Sequence, residues 1–190
     1  MERVFEYKNG EIKVIWNELL IENNYKKEWI QKEIRKTTKS FCDSFSVGLE
    51  LKVHKGGRMC YGMLMACVKP NDEQDCIKVS IAFSQRNSIK YSKSLLSNDE
   101  YVYEGLPKEY VESVCSSVYR VIDEKDDYPQ CDIAFAYAAN CEVGSSPMIF
   151  SIITKMLLEL IYCNAFDEIS SMSIENFTQK YVRDITFRYR

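Results

Sequence analysis

Apolar and polar residues change period several times along the chain, and each change marks an element. In VFEYKNGEIKVIW, Phe5 and Tyr7 alternate with polar residues before Asn9-Gly10, and Ile12, Val14 and Trp16 do so after it. Alternation about an Asn-Gly pair predicts a β-hairpin, because that pair favours the tight turn whose twist matches the flanking strands. From Asn24 to Thr37 the spacing reads as helical. Tyr25, Trp29, Ile30 and Ile34 form a stripe with lysines opposite, which predicts an amphipathic basic helix with Trp29 in the core. Phe45, Val47, Leu49, Leu51 and Val53 then alternate with Glu50, Lys52 and His54, the mark of a long half-buried strand. The near-continuous apolar run YGMLMACVKPND predicts a more central strand stopped at Pro70-Asn71-Asp72, and CIKVSIAF a third. Residues 84–104 are polar and tyrosine-rich and read as a long excursion with weak structure.

Gly105-Leu106-Pro107 punctuates the chain, and Pro107 suits a first helical turn, where its missing N–H is no loss. The helix this opens runs to about Ile122 and buries Val111, Val114, Cys115, Val118 and Ile122. CDIAFAYA alternates Ile133, Phe135 and Tyr137 with Ala134, Ala136 and Ala138, a strand with a helix expected against its alanine face. Ser146 as N-cap and Pro147 as first residue start a second helix, with Ile149, Ile152, Ile153, Met156, Leu157 and Leu160 on its buried stripe. Glu175 to Val182 reads as a short helix and ITFRYR as an edge strand. The order β-β-β-α-β-α predicts an α/β (α+β) fold, two helices on one side of a mixed sheet. Three regions follow: a hairpin and basic helix over 1–40, packed on a main domain over 41–165, and an extension over 166–190.

Composition narrows the class. With 46% apolar and 28% charged residues in 190, the chain is globular and long enough to bury a substantial core. The apolar stretch from Met148 to Cys163 is interrupted by Ser151, Thr154, Lys155 and Glu159, so no membrane span is expected. The opening Met1-Glu2-Arg3 has no secretory signature, which makes cytoplasm the expectation. Eight cysteines without a CxxC pair fit reduced, mostly buried thiols. A net charge of −3 argues against a bulk nucleic-acid binder. Basic charge is local instead: Lys26, Lys27, Lys32, Arg35, Lys36 and Lys39 face only Glu28 and Glu33 within 25–39.

Candidate chemistry is sparse. In HKGGRMCYG, Gly56 and Gly57 let a backbone approach a phosphate while Lys52, His54, Lys55 and Arg58 bring charge; the same residues equally make a solvated hairpin. Gly144, Ser145 and Ser146 at a helix start form a candidate anion site, and N-capping explains Ser146 as well. The single histidine, His54, lies six residues from Cys60 with no third group to orient it, so nucleophilic catalysis is not expected. Asp123, Glu124, Asp126 and Asp127 lack the spacing of a calcium loop, and no metal or other cofactor is expected.

Four motifs in order carry a resemblance. Gly56-Gly57-Arg58 with Tyr61-Gly62, Gly105 with Pro107-Lys108-Glu109-Tyr110, Tyr128-Pro129 with Asp132, and Ser145-Ser146 with Met148 and Phe150 resemble domain IV of translation elongation factor G, over roughly residues 45–163. Ribosomal-protection tetracycline-resistance proteins share that domain. The resemblance implies a fold like ribosomal protein S5 domain 2, with a left-handed β-α-β crossover. It also implies a tip of two loops, His54–Tyr61 and Ala139–Gly144, contacting ribosomal RNA or the ribosome, so that Asn140, Cys141 and Glu142 join the first loop as partner-binding residues. No G-x-x-x-x-G-K-[ST] occurs, so no GTP is expected. The second loop is shorter than the family's, and Cys141 or Glu142 stands near the position of its histidine. A protein partner or self-association, without RNA, is the alternative.

Overall fold

The computed structural model describes residues 1–7, 10–17, 27–35, 43–55, 57–71, 76–84, 89–96 and 102–165. The expectations for 166–190 lie outside these residues. The strands are β1 (Glu2–Tyr7), β2 (Gly10–Trp16), β3 (Glu28–Arg35), β4 (Phe45–Lys55), β5 (Arg58–Pro70), β6 (Cys76–Phe83), β7 (Val102–Glu104) and β8 (Cys131–Cys141). A 3₁₀ turn at Lys108–Tyr110 leads into α1 (Val111–Asp123), and α2 spans Pro147–Ala165. The strands form one mixed sheet in the order β1-β2-β4-β5-β8-β6-β3, with β7 beside β8. β6 and β8 are parallel, as expected of strands joined through a helix.

The hairpin forms as its pattern predicts, with Tyr7 opposite Gly10. β2 then pairs along β4 from Gly10↔Val53 to Trp16↔Val47, so the chain's first strands continue the main sheet. The helix expected across 24–37 is instead a strand over Glu28–Arg35, paired antiparallel with β6. Ile30 and Ile34 are four residues apart, a spacing that keeps them on one face in either conformation. The open side of β6 supplies backbone partners that an isolated helix cannot exploit, and this long-range term decides the outcome. Trp29, expected in the core, is 47% exposed.

Both helices lie against one apolar face. Val47, Leu49, Leu51, Leu64, Val68, Ile77, Val79, Ile81, Ile133 and Phe135 meet Val114, Val118 and Ile122 of α1 and Ile153, Leu157 and Leu160 of α2. Gly62 leaves room for α2, since a Cβ there would sit 2.9 Å from Ile149 Cγ2. The helices are joined by Ser117 and Ser151 hydroxyls 2.7 Å apart. Pro147–Asn164 is long and apolar enough to cross a membrane by composition alone, but 56% of it is buried inside this fold.

β8 corrects a second expectation. Met65 pairs with Tyr137 and Ala66 with Phe135, which leaves Ala136 as an extra residue between them. This bulge reverses the alternation. Ile133, Phe135 and Ala138 face the helices, whereas Tyr137 joins the opposite side, so the helices press on the large residues rather than on an alanine face.

That opposite side has its own cover. Ile15, Tyr61, Met63, Met65, Ala139 and Cys141 pack with Tyr91, Val102 and Leu96, and residues 89–96 cross the sheet as a strap. The strap is anchored where Tyr91 N donates to Val102 O (3.0 Å) and Glu104 N to Ile89 O (2.7 Å). It thus has defined contacts, contrary to the weak structure expected of this part of 84–104; residues 85–88 and 97–101 lie outside the described residues.

Candidate functional site: the loop end of the sheet

The β4–β5 hairpin closes between paired Lys55 and Arg58. Gly57 has φ 77°, a conformation favouring glycine in a two-residue turn, and a Cβ there would meet nothing within 4 Å. His54, Gly57 and Arg58 are exposed. Gly56 and the Lys55 side chain lie outside the described residues.

Lys52 does not belong to the exposed tip. Its Nζ lies 2.7 Å from Glu11 Oε1 and donates to Leu95 O at 3.2 Å, so it ties β4 to β2 and to the strap. The residue two places back does more. Glu50 is fully buried: its Oε1 accepts from Tyr61 Oη at 2.8 Å and from Leu95 N at 2.7 Å. Its Oε2 faces Lys13 Nζ at 2.9 Å as an ion pair outside hydrogen-bond geometry, and Lys13 Nζ donates to Lys93 O at 2.8 Å. Burial, followed by the Glu50 charge, pushes the Tyr61 phenol far above its ordinary range, so Tyr61 stays a neutral donor.

The second loop abuts the first. Tyr61 N donates to Gly144 O at 3.1 Å, and Ser145 Oγ donates to Tyr61 O at 2.8 Å while accepting from Cys141 N at 2.8 Å. Gly144 has φ 131°, and a Cβ there would come within 2.9 Å of Met59 O, so this crossing needs glycine. The structure therefore brings His54–Tyr61 and Ala139–Gly144 to one end of the sheet. Their residues differ in role. Asn140 and Cys141 are buried members of β8, with Asn140 Nδ2 donating to Gly105 O at 2.9 Å. Glu142 and Val143 are exposed, Val143 at 75%.

The candidate anion site is largely committed to the chain itself. Ser145 Oγ is used as above, and Ser146 Oγ accepts from Ile149 N at 3.4 Å as the N-cap of α2. Tyr110 Oη donates to Ser145 O at 3.3 Å, and its ring stacks on Phe150 with centroids 5.2 Å apart. Burial, helped by the Glu109 carboxylate, raises the Tyr110 phenol.

Between these parts, at the carboxyl ends of the parallel β6 and β8, opens a cleft of about 360 Å³ lined by Ser84, Pro107, Lys108, Glu109, Tyr110, Asn140, Cys141 and Glu142. Asn140, Cys141 and Glu142 were expected to bind a partner and Pro107–Tyr110 stood out as a motif, but their meeting with Ser84 around one cleft was not legible, because these residues come from three separate segments. The structure does not bring His54 and Cys60 together. Val53↔Cys60 and His54↔Met59 are neighbouring cross-strand pairs, so Cys60 and His54 point to opposite faces. Burial pushes Cys141 above the usual thiol range and Cys131 up to about 12. Cys76, Cys115, Cys131, Cys141 and Cys163 are buried. Among the described residues no group of three or more His, Cys, Asp or Glu forms a metal cluster.

The chain matches no family model and no curated protein.

Proposed function

We propose that the chain is a non-enzymatic binding domain of the elongation factor G domain IV type, which contacts ribosomal or other structured RNA through loops 54–61 and 139–144. The observation that carries this reading is the union of the two loops at one end of the sheet through Tyr61, Gly144 and Ser145. The parallel β6–β8 pair bridged by α1 is a β-α-β unit, which supports the finer proposal of a ribosomal protein S5 domain 2-like fold; the left hand of its crossover comes from the resemblance. The domain works in the cytoplasm and without GTP. Arg58 and Lys55 would answer phosphates, with exposed His54 beside them; about two such contacts give a slope of log K against log salt of roughly −1.5. Sedimentation with ribosomes and filter binding to structured RNA at low salt test this: binding that Arg58→Glu weakens is expected, and binding indifferent to that change would sink the tip reading.

A second reading, a protein-interaction module including self-association, is favoured by one specific feature. The second loop offers exposed Glu142 and a 75% exposed Val143 rather than cations, a surface better suited to a protein than to phosphate.

A further inference from the structure

Among the described residues, the cleft beside the second loop carries more carboxylates than cations, a balance unsuited to a phosphate alone. Lys108 is the one lysine or arginine among the described residues that line it, whereas Glu109 and Glu142 also line it, and all three are exposed. Two carboxylates next to a nucleic-acid tip repel backbone, and within the RNA reading they are suited to accept from a ligand that presents N–H groups. The cleft's volume of about 360 Å³ falls in the range of small-ligand sites, roughly 300–1,000 Å³. Its walls are fixed: Tyr110 is held by Phe150 and Ser145 O, and Asn140 by Gly105 O. A pocket built on such anchored residues at the carboxyl ends of parallel strands is where ligands of open α/β sheets collect.

We propose that this cleft accepts an unpaired guanine of RNA held at the tip, with the Glu109 and Glu142 carboxylates accepting from its base edge and Lys108 facing its phosphate. Guanine is the base that places two adjacent donors, N1–H and N2–H, on its Watson–Crick edge, matching the two oxygens of a carboxylate. Adenine and cytosine put a ring acceptor beside their amino group, and uracil flanks its single N–H with carbonyls; each sets a lone pair against the carboxylate. That edge is available only in single-stranded loops or ends. The proposal rests on the RNA reading of the tip.

The test is fluorescence anisotropy on the full chain at low salt, with uridine oligomers carrying one central guanine or one central adenine, or neither. The guanine oligomer is expected to bind about tenfold more tightly than the adenine one. In the Glu109→Ala, Glu142→Ala double variant that preference should fall to within about twofold, while affinity for the all-uridine oligomer holds or rises because two negative charges are gone. Arg58→Glu should weaken all three oligomers alike. Equal binding of the three by the unaltered chain, or a preference that survives the double variant, overturns the cleft assignment and leaves the tip standing. If none of the oligomers binds while structured RNA does, the tip stands without holding a single strand; if structured RNA fails as well, the tip reading fails. The cleft is then decided by guanosine 5′-monophosphate in NMR titration: shifts at Lys108, Glu109 and Glu142 sustain it, and their absence overturns it.

Discussion

The two faces of the sheet are buried by different physics. On one, α1 and α2 lay aliphatic stripes against Val47, Leu49, Ile81 and Phe135, a contact that needs shape and apolarity but no particular partner. On the other, the strap is pinned by Glu50, Lys13, Tyr61 and Lys52, each of which loses its value if its partner is removed. The helix face should therefore degrade gradually with lost volume. The strap face should fail abruptly with lost charge, and its failure would reach the loop end of the sheet through Tyr61.

The largest effect separating the two should come from Glu50→Gln. It leaves Lys13 buried without its counter-charge, a loss of about 3–5 kcal/mol on the scale of broken buried pairs. Urea denaturation measures it, and hydrogen exchange at the Leu95 amide should accelerate. The sharper form is the pair Glu50→Gln with Lys13→Met, which removes both charges while leaving an oxygen at position 50 to accept from Tyr61 Oη and Leu95 N, and should recover most of that loss. If the double change is as damaging as the single one, the strap face is not governed by its ion pair. Leu157→Ala on the helix face should cost about 2–4 kcal/mol by cavity formation while leaving exchange at Leu95 unchanged relative to global unfolding.

Tyr61→Phe should cost about 1.5–3 kcal/mol, the range for a hydrogen bond to a charged acceptor, again read by urea denaturation. A pH series adds a weaker contrast. Cys131 is raised from 9.0 to about 12 in the fold, and Tyr61 and Tyr128 are raised above 10.0. The unfolded chain then loses these protons first, so the stability they contribute is complete below pH 9 and declines as pH rises through 9 toward 12. Thermal unfolding should show the melting temperature falling over that window, with Cys131→Ala flattening the decline at its lower end. The smallest stability effect, within about 0.5 kcal/mol, is expected of Arg58→Glu, because Arg58 is exposed and touches neither face.

How far the residues alone predicted this molecule varied with the kind of contact involved. The β4 face of Val47, Leu49, Leu51 and Val53 and the α1 stripe were readable because alternation at two and at three to four residues is a local consequence of backbone geometry. The same logic mistook β3 for a helix, since Ile30 and Ile34 satisfy both periods and only β6 breaks the tie. At the loop end, Gly57 and Ser146 declared their roles through turn and cap chemistry. Asn140 and Cys141 did not, because nothing local marks a residue as the buried end of a strand. Lys52 looked like one more cation beside Arg58, and the strap that consumes its charge lies some forty residues away in sequence.

What the sequence by itself determined is therefore the local elements other than β3 and the strap, the mixed α/β class and the hairpin with its glycine turn, all fixed by short-range sterics and apolar periodicity. What only tertiary structure decided is which charges remain available. Glu50, Lys13 and Lys52 are consumed by the strap, and Arg58, Lys108, Glu109 and Glu142 are left at the loop end. The reason is that the free energy of a charge depends on its solvation and its nearest opposite partner, and both are set by segments that meet only when the sheet has closed.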